Sequence, residues 1–177
     1  MKHLILMFLV IGTVMIFFGC SADNPIAPES DQSDQTLISL AKKHATFDGT
    51  SEIDHVQDWG TMTPLPNGKA LGRGYISVYY DDVSDPRVKG YSTWYMTIAR
   101  VDADASAKFN GKAELIVDDD GGRWEMTWHG RKAADGSIVD YVVGTGKEGA
   151  VKGLVAKWTY TRPVEMPGFY KVEGFIH

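Results

Sequence analysis

The chain has one cysteine, Cys20, in 177 residues. An internal disulfide is therefore impossible, and no Cys-His arrangement for nucleophilic catalysis can be argued. Dense runs of lysine and arginine are missing too: 18 basic residues stand against 23 acidic ones, for a net charge of −5. That balance points away from nucleic acid as a partner and away from electrostatic adhesion to anionic lipid. No apolar run is long enough to span a bilayer. The longest, Leu4 to Phe18, is interrupted only by Gly12 and Thr13, and as a helix it would cover ~23 Å of a hydrocarbon core ~30 Å thick.

That run has a charged beginning and a small-residue end. Lys2 and His3 precede it, and Gly19 stands directly before Cys20. This is the three-part layout of a secretory signal. The small residue followed by cysteine resembles a bacterial lipoprotein signal, with Phe17 and Phe18 where a leucine and a smaller residue are commoner. The resemblance implies that Cys20 receives diacylglycerol and becomes the new N-terminus, so that the membrane itself is a partner through the lipid anchor. Each buried methylene adds ~0.8 kcal/mol, which makes one acyl chain marginal and three firm. It also accounts for an exported cysteine that has no partner. Ser21 stands where inner-membrane retention is associated with aspartate, which implies the outer membrane of a diderm cell. The alternative is a free or buried thiol behind an ordinary signal or anchor.

Residues 1–19 then form the signal, and its removal takes Lys2 and no acid, moving the net charge to −6. Residues 20–33 include Pro25 and Pro28 among polar neighbours and read as a disordered tether. Such a stretch can reach ~45 Å when extended. Residues 34–177 are of a size for one domain.

At the start of that domain, Ser33 or Asp34 can cap a short helix over Gln35 to His44, with Leu37, Ile38 and Ala41 on one face. Beyond Gly49, glycine, aspartate and asparagine clusters recur between short aromatic and β-branched runs. Strands are expected over Gly74–Tyr80, Tyr91–Val101, Lys112–Val117, Arg123–Gly130, Ser137–Val143, Val151–Thr161 and Phe169–His177, with an eighth in Thr46–Val56 or Gly60–Leu71. Neighbouring runs joined by short turns give an all-β fold, an antiparallel β-barrel of about eight strands with one short N-terminal helix. A β-sandwich is the alternative.

Several motifs invite chemistry. Gly144-Thr-Gly146-Lys-Glu-Gly149 matches the spacing of a dinucleotide fingerprint, but no βαβ unit surrounds it, so the glycines are expected to mark a hairpin and a bend. The set Gly146, Gly149, Gly153-Leu154, followed by an aromatic strand and Gly174-Phe175-Ile176, resembles the glycine-marked hairpin of small secreted barrels of the allene oxide cyclase and dirigent type. That resemblance covers Arg73 to the C-terminus and implies an eight-stranded barrel with an apolar cavity. No catalytic residue carries over from it.

Asp118-Asp119-Asp120 and Asp81-Asp82 with Asp85 offer clustered oxygens, but they lack calcium-loop spacing and read as turn formers. No metal site and no cofactor is expected. Arg123, Glu125, Thr127 and His129 share one face of a strand whose other face is Trp124, Met126 and Trp128. If the tryptophans point inward, the charged row meets solvent. His44, His55 and His177 are no better placed for catalysis.

Aromatic residues are plentiful in the expected strands, and Tyr79, Trp94, Trp124 and Trp128 are the residues expected to line a pocket. Three function classes follow. The leading one is a non-catalytic barrel, anchored in the cell envelope, that binds a small apolar or sugar-like ligand. The others are an isomerase- or cyclase-type enzyme using the same cavity, and a structural envelope protein acting through its surface.

Overall fold

The computed structural model describes residues 44–166 and 168–177. Ten strands run in chain order: β1 (Ala45–Asp58), β2 (Thr61–Pro64), β3 (Ala70–Arg73), β4 (Ile76–Val83), β5 (Gly90–Val101), β6 (Ala107–Val117), β7 (Gly122–Lys132), β8 (Ile138–Gly149), β9 (Val155–Arg162) and β10 (Phe169–Ile176). Eight of them close a barrel in the order β1-β4-β5-β6-β7-β8-β9-β10, each pair antiparallel, with β10 returning to β1. The β5–β6 ladder runs from Gly90 opposite Val117 to Val101 opposite Ala107. It seals the sheet, so the sandwich alternative is excluded.

The eighth strand is β1, which covers the Thr46–Val56 stretch. The rival stretch, Gly60–Leu71, forms the small β2–β3 hairpin, whose β3 pairs with the far end of β5. The expected N-terminal helix is not supported. Residues 35–43 lie outside the described residues, and His44 leads directly into β1. Among the described residues the helical pieces are two single turns, Pro66–Gly68 and Pro86–Val88. Strand boundaries also move: β8 runs on past Val143 to Gly149, and β9 begins at Val155 because Val151 lies in the turn before it. Asp81 and Asp82 do not break β4, which runs on to Val83, and β6 begins at Ala107 rather than Lys112.

Alternation along each strand decides what enters the barrel. On β7, Trp124, Met126 and Trp128 are buried while Glu125, Thr127 and His129 are exposed, as a pleated strand with one buried face requires. Arg123 fans outward to Glu148 at 2.8 Å, Glu125 at 3.2 Å and Glu114 at 3.6 Å. Large inward side chains need small ones beside them. A Cβ on Gly111 of β6 would lie 2.9 Å from the Trp128 ring, so only glycine admits that indole there.

One end of the barrel is shut. Val88, Val117, Trp124, Val151, Val172 and Ile176 lie there, none more than 4% exposed. The turn Pro86–Val88 folds across this end, held by Asp85, which accepts from Arg87 N at 3.0 Å and from Arg87 Nη2 at 2.7 Å. Trp124 Nε1 donates to Arg87 O at 2.7 Å, tying the plug to β7. Each fully buried aliphatic side chain of this kind contributes ~1.5–3 kcal/mol. The closed end is the hydrophobic anchor of the fold.

The opposite end is looser. Here β1 shifts register against β4 after Ile53 and again after Val56, and β5 shifts against β6 after Met96. Bulges of this kind bend strands. Around the shift after Met96, β5 leaves β4, its last partner there being Ile76 opposite Tyr95, and takes up β3 from Ala99 to Val101.

Candidate ligand cavity

The mouth leads into a cavity of about 140 Å³. Its walls come from alternate positions on six barrel strands and the residue preceding one of them. Tyr75, Ser77 and Tyr79 approach along β4, Trp94 and Met96 from β5, Phe109 from β6, Trp128 from β7, Ile138 and Asp140 from β8, and Tyr170 from β10. A smaller gap of about 20 Å³ lies between Ser51, Tyr79, Trp94, Asp140, Tyr160 and Tyr170. The two share Tyr79, Trp94, Asp140 and Tyr170. Trp59, 78% exposed beside the β2–β3 hairpin, packs edge-on against Tyr75 with centroids 6.0 Å apart.

The rings form one connected cluster. Trp94 meets Tyr160 at 4.9 Å, Trp128 at 5.1 Å and Tyr79 at 5.9 Å between centroids, and Tyr79 meets Tyr170 at 5.8 Å. Tilted and edge-to-face contacts of this kind fix ring orientation beyond simple burial. Both indole N–H groups are committed to the protein: Trp94 Nε1 donates to Ser92 Oγ at 3.0 Å, and Trp128 Nε1 to Lys112 O at 3.0 Å. What these two rings offer the cavity is therefore carbon and π-surface.

Two carboxyls lie inside. Asp81 of β4 is 1% exposed and accepts from Tyr160 OH at 3.1 Å. Burial pushes its pKa up to about 6, while the Ser51, Ser92 and Tyr160 hydroxyls draw it back. Ser51 acts there as a neighbouring dipole, because its Oγ meets no partner in hydrogen-bond geometry. Asp140 of β8 is 6% exposed. Burial pushes it up to about 7, with only the charge of Arg162 acting in the other direction. Its Oδ1 finds no hydrogen-bond partner among the described residues, and a buried acceptor left in that state is costly. Burial also holds the Tyr79, Tyr160 and Tyr170 hydroxyls in their protonated form.

Of the residues expected to line a pocket, Tyr79, Trp94 and Trp128 come together here. Trp124 is fully buried at the closed end and does not line the cavity. Cys20 lies outside the described residues. The row Arg123, Glu125, Thr127 and His129 stays on the outer wall, where His129 stacks on Tyr141 at 5.3 Å. Strand alternation also divides the acidic cluster on β4: Asp81 turns inward, while Asp82 turns outward to Lys89 at 2.7 Å. The Gly144 to Gly149 segment completes β8 and enters a tight turn into β9.

Sequence reasoning missed Asp140. Its signal was nevertheless present, since Asp140 shares a strand face with Ile138, Val142 and Gly144, the face that wants burial. Tyr160 and Tyr170 were legible as strand aromatics but not as cavity walls. No protein-family model matches the chain, and no curated protein is significantly similar to it.

Proposed function

We propose that this is a membrane-anchored envelope lipoprotein whose barrel is a non-catalytic module holding one small ligand. The cavity carries the proposal: about 140 Å³ walled by aromatic rings, with one carboxyl oxygen that no neighbour satisfies. A void near 150 Å³ is enough for a ligand of benzene size. Aromatic walls with a few placed polar groups are the usual make-up of small-molecule sites. Ser77, Asp140 and the tyrosine hydroxyls supply those groups, and they favour a ligand with a hydrogen-bond donor over a pure hydrocarbon.

The Lys2 to Cys20 pattern supports the anchor, and Ser21 in place of a retention aspartate supports an outer-membrane address. Changing Cys20 to Ser should release the protein from membranes, and unchanged retention would refute lipidation. For the cavity, native mass spectrometry of protein purified gently from its own envelope should show an added mass that disappears on denaturation. A bare mass at every purification would count against an occupied binding site.

One observation favours a second reading, an isomerase- or cyclase-type enzyme. A carboxyl at about 7 can take and return a proton near neutral pH. Under this reading the molecule recovered from the barrel would be converted by fresh protein to an isomer of the same mass, and Asp140→Asn would stop the conversion without stopping binding.

A further inference from the structure

We infer that the ligand is a small organic monocation, a protonated or quaternary amine, with Asp140 as its counter-ion and the surrounding rings as its cage. This rests on the reading that the cavity is a binding site, and it names the ligand's chemistry.

The geometry begins with a carboxyl that lacks a partner. Asp140 is 6% exposed, and its Oδ1 accepts from nothing among the described residues. A carboxyl inside a barrel calls for a donor or an opposite charge. Among the described residues no neighbour bonds to it, and the one opposite charge that acts on it, Arg162, does so from beyond ion-pair distance. Asp81 is a second acid, whose Oδ2 accepts from Tyr160 and whose own Oδ1 is unpartnered, but it does not line the larger cavity. Arg162, at the end of β9, gives its Nη2 to Gly136 O at 3.2 Å, rests over the Tyr170 ring at 5.8 Å, and makes no ion pair with Asp140. The position of the carboxyl is also specified by the opposite strand, because Gly130 faces Asp140 across β7 and β8 and leaves room for its Oδ1.

The walls select the same chemistry. Trp94 and Trp128 have their N–H groups bonded elsewhere, so they offer the void aromatic carbon and no donor. A cation gains from such faces, most of all where water is excluded. An anion would meet Asp140. An apolar molecule would leave Oδ1 unsatisfied, and a sugar would bring more hydroxyls than the few polar groups here can pair. The negative net charge of the chain, −5, further favours approach of a cation.

The test compares charged probes with neutral probes of the same shape on the detergent-solubilised full-length protein, by titration calorimetry at pH 8. Benzylamine is set against benzyl alcohol, and choline against 3,3-dimethylbutan-1-ol. The expected result is at least tenfold tighter binding of each cation, a preference that Asp140→Asn removes while binding of the alcohols is retained. Equal affinities within both pairs would overturn the cation inference and leave the binding module standing. Absence of binding by all four probes would overturn both. Because the wild-type ratio is informative by itself, the test survives a poorly folded variant.

Discussion

Asp140 on β8 stands directly opposite Gly130 on β7, and a Cβ at position 130 would occupy the space of Asp140 Oδ1. The residue with no side chain and the carboxyl with no partner are therefore one feature. Replacing Gly130 by Ala should displace the carboxyl and press on the Phe109 ring, 2.6 Å from the added atom. The expected cost is ~1–3 kcal/mol in urea unfolding. In an Asp140→Ala background the same change should cost less, and a strictly additive double-mutant cycle would show that the two positions are not coupled.

The buried acids set the pH dependence. Asp81 and Asp140 have folded pKa values raised to about 6 and about 7 from 3.8. The folded state thus binds more protons than the unfolded one between pH ~4 and ~7, and stability should fall as pH rises through that window, then level off. Asp85, Asp104 and Asp135 are shifted downward, chiefly by hydrogen bonds against the burial that opposes them at Asp85. Their contribution is lost only as the pH falls below ~4. Melting temperatures recorded from pH 4 to 8 at fixed ionic strength should decline, with Asp140→Asn flattening the upper part of the slope. A rise across this range would contradict the assignment of both carboxyls to the interior.

On the outer wall Arg100, Lys108 and Arg131 face one another across three adjacent strands, and none has an ion pair among the described residues. Like charges directly opposite on one sheet face destabilise it. Lys108→Glu should therefore raise the urea midpoint slightly, and the gain should shrink in 1 M salt, where screening acts within ~3 Å. A lowered midpoint in low salt would show that the row is held apart or otherwise compensated.

Fluorescence offers a check on strand orientation. Of the five tryptophans, Trp59 is 78% exposed while Trp94, Trp124, Trp128 and Trp158 are all at 8% or less. Iodide should quench one emitting component at long wavelength, and Trp59→Phe should remove it and leave a blue-shifted, poorly quenched spectrum. Substantial quenching in that variant would mean that β7 presents its tryptophans outward.

The barrel was largely legible from alternation and turn chemistry. Trp124, Met126 and Trp128 fixed the inner face of one strand, and the Ala134-Asp135-Gly136 turn separated it from the next. Closure was less so, because the register shifts after Met96 in the β5–β6 ladder and after Ile53 and Val56 in the β1–β4 ladder carry no clear local signal. The cavity was half legible. Tyr79, Trp94 and Trp128 were identified as aromatics on strands, but which of four such residues reach a void and which form the plug depends on their height in the barrel. Trp124 sits near the start of β7, at the closed end, and Trp128 lies four residues further along. Asp140 was hidden because a single acid in a strand reads as an outward residue, whereas its parity with Ile138 and Val142 places it inside.

Closure has a consequence for how the protein tolerates crowding. A sheet this rich in tyrosine and tryptophan would, if open, offer its margin as a template for strand addition by other chains. The eight barrel strands have both neighbours in place. Among the described residues the free margin is β2, four residues long and ending at Pro64, a residue with no N–H to donate to an incoming strand. High local concentration should therefore offer neighbouring chains little edge for strand addition.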